Sequence, residues 1–193
     1  MNVIEHKLAL EKLKIGLPIV FQTDTVPAIG CLPKFSDIIY KTKKRDKNKP
    51  LILMGAENFQ FNDVVHECAL DDFKYMASRY WPGPLTIIIP ISNKTKLLFS
   101  SYKSTLGLRI PNSIMAKFLL QASGPLLTSS ANLSGLPTAN NAKEISIDLP
   151  NVDILGPIPW VKCSGKASTI ISWENQGKWK MIRRGEVLIP GIG

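Results

Sequence analysis

Hydrophobic and polar residues along the chain follow two periods, one typical of amphipathic helices and one typical of buried strands. Ile4, Leu8 and Ile15 fall on one helical face and predict a helix near the N-terminus. The segment Asn2–Glu5 has the spacing of a capping box, which opens helices. Gly16 follows the last of these apolar residues and is expected to end the helix.

The same patterns predict the elements that follow. Further helices are expected in "DIIYKTKKR", opened by Ser36, in "LDDFKYMASRY", and in "SIMAKFLLQA", opened by Asn112. Continuous apolar runs predict buried strands at "PIVF", "PLILM", "LTIII", "LGLRI" and "PLLT". The segments "STIIS" and "WKMIRR" are expected to form a hairpin across "WENQGK", and "QTDTVPAIG" is expected to be a loop.

Strands and helices therefore alternate along the chain, which is typical of a layered α/β domain whose strands are at least partly parallel. No linker-like stretch and no internal repeat divides the sequence, so residues 1–193 are predicted to form one domain. Ligands of open α/β sheets bind at strand ends, where loops gather. Three polar clusters are expected there: "TDT" after "PIVF", "TSSAN" after "PLLT", and "KKR" before "PLILM".

Composition narrows the class of protein. Hydrophobic residues make up 45% of the chain, enough for a sizeable core, yet no apolar run approaches the roughly 20 residues that span a bilayer. The N-terminal segment is too charged for a signal peptide. Cys31, Cys68 and Cys163 are far apart without metal-ligand spacing, so a reduced, cytoplasmic location without membrane contact is predicted. The net charge of +9 indicates an anionic partner, such as a nucleotide, a nucleic acid or a membrane surface.

Missing motifs exclude several kinds of active site. The sequence has no P-loop pattern and no GxGxxG pattern. His6 and His66 are its only histidines, and neither lies in a polar cluster, which argues against Ser-His or Cys-His catalysis. No carboxylate cluster marks a metal site built by the protein. Cations and small hydroxyls remain as candidates for chemistry.

Two groups of cations could bind an anion. Lys43 and Arg45 stand at the end of a predicted helix, where they are expected to be exposed, and a solvated helix end is the alternative explanation. Arg109 interrupts an apolar strand, and a buried arginine requires an anionic partner, either a ligand or a structural carboxylate such as Asp24. The hydroxyls and amide of "TSSAN" likewise indicate either a turn or a ligand site.

The order of several segments resembles the YrdC-like (TsaC) family, the threonylcarbamoyl-AMP synthases. These segments are "FQTDTVPAIG", "KKRDKNKPL", "WPGPLTII", "LGLRIP", "LLTSSANLSG", "STII" and "IRRGEV". The resemblance covers about Ile19–Val187, and the KxR element at 43–45 combined with the SxN element at 130–132 makes it specific. It implies a single-domain YrdC-like α/β fold with a twisted, mixed, partly parallel sheet flanked by helices, in the short form that lacks an extra C-terminal domain.

The resemblance also implies a reaction. Threonine and bicarbonate form N-carboxythreonine, whose new carboxylate is adenylylated by ATP, with Mg²⁺ accompanying the ATP and pyrophosphate released. The product passes to a complex that transfers its threonylcarbamoyl group to an adenosine beside the tRNA anticodon. Such a transfer needs neutralised charge and in-line positioning rather than a protein nucleophile, which agrees with the missing histidine and cysteine motifs.

Roles for individual residues follow from the resemblance, and five positions depart from it. The implied catalytic residues are Lys43, Arg45, Ser130 and Asn132. ATP is expected to contact Arg45, Lys49, Thr105, Ser130, Thr138 and Arg183. Threonine is expected to contact Thr25, Met54, Arg109, Thr128 and Ser168, with the guanidinium clasping its carboxylate. The family pattern often has Tyr-Gly, proline, asparagine and histidine where this chain has Pro27–Ala28, Asp46, Lys49 and Met54.

Two other functions stay open. The first is a module that recognises double-stranded RNA or tRNA without catalysis, which is compatible with the basic charge and with weak RNA binding. Against it, the cations are predicted at separate strand ends and no RRM-like or KH-like motif is present. The second is an enzyme of the same fold that acts on another substrate, including a hydrolytic relative.

Overall fold

The computed structural model describes residues 2–98 and 104–192, in which short helices and strands alternate. The α-helices are α1 (His6–Lys14), α2 (Asp37–Lys43), α3 (Leu70–Tyr80), α4 (Asn93–Leu98), α5 (Ile114–Ser123) and α6 (Ala142–Asp148). The strands are β1 (Val3–Ile4), β2 (Ile19–Phe21), β3 (Ala28–Cys31), β4 (Ile52–Met54), β5 (Leu85–Pro90), β6 (Thr105–Arg109), β7 (Leu126–Ser130), β8 (Asp153–Leu155), β9 (Thr169–Asn175) and β10 (Lys178–Arg183). Three short 3-10 helices span Pro33–Phe35, Asn58–Phe61 and Glu67–Ala69.

The strands form a mixed sheet in the order β1-β8-β2-β3-β7-β4-β6-β5-β9-β10. Strand β8 is parallel to β1 and to β2, β4 is parallel to β6, and β5 is parallel to β9. The remaining neighbours are antiparallel, including the β9–β10 hairpin. The prediction of an α/β fold with a partly parallel sheet, and that of the hairpin, are confirmed.

Helices pack against both faces of this sheet, and the strand period explains how. Val20 of β2 packs in a cluster with residues of α2, α3 and α6, whereas its neighbours Ile19 and Phe21 pack with α1 and α5. Successive residues of a strand point to opposite faces, so one apolar strand serves two cores. Among the residues that the structure describes, no helix is long and apolar enough to cross a membrane.

The prediction for the N-terminus was wrong in detail. Ile4 belongs to strand β1, which pairs in parallel with β8, and α1 begins only after Glu5. The side chain of Glu5 makes no capping hydrogen bond. Helix α1 buries Ala9 and Leu13, while Ile15 is exposed. The parallel partner of β1 lies about 150 residues away in sequence, so periodicity near the N-terminus could not indicate it.

Two other capping predictions were also wrong. Helix α5 is capped by Ser113, whose hydroxyl accepts a hydrogen bond from the Ala116 amide, and not by Asn112. Ser36 precedes α2 in a helical conformation and makes no side-chain capping bond. The segment "QTDTVPAIG" is only partly a loop, because β3 begins at Ala28 and pairs with β2 and β7.

Candidate active site

A cavity of about 530 Å³ opens on one face of the sheet, over the consecutive strands β7, β4, β6, β5 and β9. Because side chains alternate between the two faces, every second residue of a strand faces the cavity. In β6 these residues are Thr105, Gly107 and Arg109, and in β4 they are Ile52 and Met54. The sheet itself therefore forms the floor of the site.

The hydroxyls of "TSSAN" lie at the C-terminal end of β7, as predicted, although the strand continues to Ser130 and not only through "PLLT". Thr128 and Ser130 belong to β7, where Thr128 is opposite Ile52 of β4 and Ser130 is opposite Ala28 of β3. The Thr128 hydroxyl donates to the Ile52 carbonyl at 3.0 Å. Strands β3 and β4 pair with β7 on its two sides, and β7 continues as a strand beyond its apolar residues. Its polar side chains therefore reach the cavity from the sheet.

The charges around this cavity have one sign. Arg45, Lys49, Arg109 and Arg183 line it, and no carboxylate is found among its described lining residues. Cations placed among small hydroxyls favour phosphate and carboxylate ligands, because charge-assisted hydrogen bonds are the strongest that these groups form. The cavity is therefore suited to an anionic ligand.

Arg109 is buried, with 3% of its surface exposed, and is held by a polar cage. Its Nη2 donates to Asp24 Oδ1 at 2.7 Å, its Nη1 donates to Thr25 Oγ1 at 2.9 Å, and its Nε donates to the Gly83 carbonyl at 3.1 Å. Burial lowers the pKa of the guanidinium, and the charge of Asp24 acts in the opposite direction. Asp24 is therefore the structural carboxylate partner of Arg109. The arginine nevertheless lines the cavity, where it can also meet a ligand.

Lys43 joins the KxR element to the SxN element. Its Nζ donates to the Ser130 carbonyl oxygen and lies 3.5 Å from Ser130 Oγ. The prediction that Lys43 is exposed was wrong, because only 1% of its surface is accessible. Burial, followed by the charge of Arg45, lowers the pKa of the Lys43 ammonium to about 7. A buried ammonium beside a second cation favours the approach of an anion.

The end of α2 explains how these cations come together. Lys44 adopts the left-handed conformation at φ 50°, and the Arg45 amide returns to the Tyr40 carbonyl at 2.9 Å, so the chain turns sharply after Lys43. The Arg45 guanidinium then donates to the carbonyls of Lys49 and Pro50 at 3.1 and 3.0 Å. Arg45 thereby orders the loop that carries Lys49 to the cavity.

Asn132 holds the loop that follows β7. It is buried, and its Nδ2 donates to the carbonyls of Leu133 at 3.0 Å and Leu136 at 2.8 Å. The Ser134 amide donates to the Lys43 carbonyl at 3.0 Å, which ties this loop to the end of α2. Asn132 and Lys43 thus support the wall of the site and do not line it. Their catalytic roles stay predictions.

A series of hydrogen bonds links three further residues that line the cavity. Arg183 donates through Nη2 to the Ser168 carbonyl at 2.8 Å and to Ser168 Oγ at 3.2 Å. Ser168 Oγ lies 2.9 Å from Thr86 Oγ1. Both hydroxyls are buried, so these hydrogen bonds fix the position of Arg183 relative to the sheet.

The structure brings most of the predicted site residues to one cavity. The lining includes Thr25, Arg45, Lys49, Met54, Thr105, Arg109, Thr128, Ser130, Thr138, Ser168 and Arg183. Residues predicted for ATP and for threonine therefore share a single cavity, although their individual contacts with substrate stay predictions.

Sequence reasoning missed Thr86 and Gly107. Thr86 was signalled only by a hydroxyl inside the apolar run "LTIIIP". At Gly107, an added Cβ would lie 3.3 Å from Thr86 Cγ2, so a side chain there would point into the floor of the site. A lone glycine in a strand does indicate that a ligand or another segment comes close to the backbone. Without knowledge of the neighbouring strands, the sequence does not show which face of the sheet is meant.

No group of three or more metal-ligating side chains occurs in the described parts of the chain.

Comparison with known proteins identifies the family of this chain. The profile of the Sua5/YciO/YrdC family, described as telomere recombination, matches residues 11–185. The threonylcarbamoyl-AMP synthase of Vibrio parahaemolyticus is 33% identical over 146 residues, which cover 72% of this chain and 78% of that protein. The enzyme of the same name from Bacillus subtilis is 33% identical over 68% of this chain, but the match spans only 39% of that longer protein.

A solved structure gives the same result at the level of the fold. P. abyssi Sua5 complexed with L-threonine superposes with a TM-score of 0.84 at 25% identity, covering 96% of this chain and 58% of that one. The family profile covers most of the sequence, and the fold agrees over nearly all of it. The chain belongs to the Sua5/YciO/YrdC family.

Proposed function

We propose that this protein is a threonylcarbamoyl-AMP synthase that uses L-threonine, bicarbonate and ATP. The observation that carries the proposal is a cavity lined by four cations and by hydroxyls, with the buried Arg109 facing it and Lys43 behind its wall. Relatives of this name match most of the chain, and a related structure holds L-threonine. The B. subtilis relative is much longer than the match, so the activity is proposed here from the site.

We propose that threonine occupies the side of the cavity next to Arg109. The guanidinium is already oriented by Asp24 and Thr25, and its planar fork suits a carboxylate. Met54 is directly opposite Arg109 in the β4–β6 register, so an apolar side chain lies beside the proposed carboxylate site. That arrangement matches an amino acid with a methyl group close to its charged end.

The triphosphate is assigned to the side where Arg45, Lys49 and Ser130 line the cavity. The threonine amine adds to the carbon of bicarbonate and loses water, which gives the N-carboxy group. A carboxylate oxygen of that group then forms a bond to the α-phosphorus, and the bond from this phosphorus to the α–β bridging oxygen breaks. The bridging oxygen keeps the electron pair, and pyrophosphate leaves. The cations neutralise its charge, so no protein nucleophile is required.

Mg²⁺ is proposed to enter as the MgATP complex. The described residues offer no cluster of acidic or histidine ligands, so the triphosphate itself would hold the ion. The product is proposed to pass to a tRNA threonylcarbamoyl-transfer complex in the cytoplasm.

The RNA-binding alternative is less well supported by the site. Non-specific nucleic-acid binding depends on surface cations that meet successive phosphates. Lys43 and Arg109 are instead buried at a cavity that is too small for a duplex. Weak RNA contact elsewhere on the basic surface is compatible with the synthase.

Product analysis tests the proposal. Purified protein is incubated with MgATP, threonine and ¹³C-bicarbonate, and nucleotides are separated by mass. We expect a labelled threonylcarbamoyl-AMP that retains one ¹³C atom from bicarbonate. Formation of only AMP or ADP, without a labelled adduct, would contradict the synthase and favour a hydrolytic relative of the same fold.

A further inference from the structure

A second cavity, of about 1030 Å³, adjoins the candidate active site. The two cavities share the segment after β2: Gln22 and Asp24 line the second cavity, whereas Thr25 lines the first. The proposed synthase reaction uses none of the other residues of the second cavity. Pockets of this size bind small organic molecules, so its chemistry indicates what it could hold.

One part of the second cavity is apolar and partly aromatic. The ring of His6 packs against Phe118 in a tilted arrangement with centroids 4.3 Å apart, and Trp160 and Met115 also line the wall. Ile114 at the rim is 92% exposed. Large apolar side chains left in water beside a concavity mark a binding surface.

The other part is polar, and hydrogen bonds hold its groups together. Gln22 Nε2 donates to the Val161 carbonyl at 2.6 Å, and Ser113 Oγ donates to the Gln22 carbonyl at 3.3 Å. Asn112 adds a second amide to this corner. Asp24 is bound to Arg109 through Oδ1 only, and no hydrogen bond from a described residue reaches its Oδ2. The corner therefore offers acceptor oxygens to a ligand.

The charges of the lining differ from those of the whole protein. Lysine and arginine outnumber aspartate and glutamate by 24 to 15 in the chain. The lining reverses this balance, since Glu5 and Asp24 face it with Lys162 as its one described lysine or arginine. A second copy of the chain is a poor occupant, because it would bring another +9 charge. An anion would bind better in the neighbouring cavity, which is lined by cations. Charge complementarity therefore favours a small cation.

We propose that the second cavity is a binding site for a small organic ammonium ion with an aromatic or branched apolar body. The body packs between Phe118 and Trp160, whose rings also attract a cation. The ammonium group donates to Asp24 and to the amide oxygen of Gln22. This proposal does not depend on the synthase assignment, because binding at this site can be measured without turnover.

The test uses tryptamine as the probe and indole-3-propionate as a carboxylate of similar shape. Each is titrated into the full-length protein and followed by calorimetry. We expect saturable tryptamine binding that is about 10-fold or more tighter than that of the carboxylate, because a charge-assisted hydrogen bond distinguishes the two. Absence of saturation, or equal affinity for both probes, would overturn the proposal.

A pair of matched variants locates the binding. Phe118 and Phe59 are both exposed, at 59% and 69%, and only Phe118 lines the second cavity. Phe118→Ser should weaken tryptamine binding about 10-fold, whereas Phe59→Ser should leave it unchanged. Unchanged affinity in Phe118→Ser, or equal losses in both variants, would contradict this location. Asp24→Asn should remove the preference for the amine, and the phenylalanine pair still decides if that variant does not fold.

Discussion

Lys43 shows at the scale of a single residue how a charged site lowers stability. Its pKa is about 7 in the folded protein, compared with 10.5 for a free lysine. Between these values the unfolded chain holds a proton that the folded protein has released, so the free energy of unfolding rises with pH, by up to about 1.4 kcal/mol per pH unit. Below pH 7 both states are protonated, and the full destabilisation remains.

We therefore expect Lys43→Met to stabilise the protein and to abolish synthase activity. At pH 7 the variant should be more stable by about 1–4 kcal/mol, because an apolar side chain replaces a buried charge. The rise in stability from pH 7 to 10.5 should also become shallower. Urea unfolding across this pH range measures both effects, with Lys41→Met, an exposed position on the same helix, as control. A Lys43→Met variant less stable than the wild type at pH 7 would contradict the buried-cation account.

The apolar wall of the site makes a prediction about the choice of amino acid. Pro27, Ala28 and Met54 all line the cavity. Contact with one methyl group contributes only about 1–3 kcal/mol, and methionine adapts to small gaps, so serine should be used about 10-fold less efficiently than threonine. Valine replaces the hydroxyl by a methyl and leaves polar partners unpaired, so it should be rejected more strongly.

Adenylylation of each amino acid at matched bicarbonate measures this selectivity. Valine used as well as serine would mean that the side-chain hydroxyl is not recognised. The threonine site could then not lie at Thr25, Thr128 and Ser168.

At the scale of elements, the close approach of two chain segments positions Arg183. Gly185 follows β10 and touches the segment before β9: an added Cβ would lie 2.3 Å from the Ala167 carbonyl oxygen and 2.5 Å from that of Ser168. These are backbone atoms that cannot move independently of the strand. The same contact brings Arg183 to the carbonyl of Ser168.

Gly185→Ala should therefore lower the free energy of unfolding by about 2–4 kcal/mol and reduce activity, because overpacking against backbone strains both segments. Gly177→Ala in the β9–β10 turn is the control. Nothing lies within 4 Å of an added Cβ there, and only its φ of +70° opposes the change, at about 1–2 kcal/mol. Equal effects of the two substitutions in denaturant unfolding would show that the close approach does not constrain the fold.

The elements that could be predicted from sequence are those with a strong local pattern. Strands β2, β4, β5, β6 and β7 are continuous apolar runs, and helix α3 has a clear polar face. Strands β1 and β8 were missed because each is short and is stabilised by a distant parallel partner. Helix α6 was missed because it buries little beyond Ile145. Local pattern thus identifies elements with their own apolar face, and tertiary pairing decides the rest.

The site could be predicted to the extent that its chemistry is local. Hydroxyls and cations in unusual places indicated Arg109, Ser130 and Arg45, which all line the cavity. The burial of Lys43 could not be predicted, because it depends on the loop after β7 covering the end of α2. Thr86 was missed for a similar reason, since its hydrogen bond is made with Ser168, which lies just before β9, the parallel neighbour of β5.

At the scale of the whole molecule, one carboxylate connects two cavities. Asp24 lines the second cavity and binds Arg109, which lines the first. An ammonium ion bound at Asp24 should weaken the hydrogen bond between Asp24 and Arg109. The guanidinium is then more available to a carboxylate in the first cavity. Binding linkage is reciprocal, so the two ligands should favour each other.

We expect saturating tryptamine to lower the KM for threonine about 5-fold, within the usual range of coupling between sites. Phe118→Ser should abolish this effect, and its KM for threonine should equal that of the wild type measured without tryptamine. Measurements of initial rate at fixed ATP with and without tryptamine test the coupling. An increase in the threonine KM, or an effect that persists in Phe118→Ser, would contradict a coupling through Asp24.

If one cation-lined cavity joins three substrates, pyrophosphate release must depend on all of them. Release is measured with MgATP, threonine and bicarbonate together, and again with threonine or bicarbonate left out. We expect rapid release only when all three are present, because the attacking carboxylate does not exist until threonine and bicarbonate have combined. Undiminished release without threonine or without bicarbonate would contradict it.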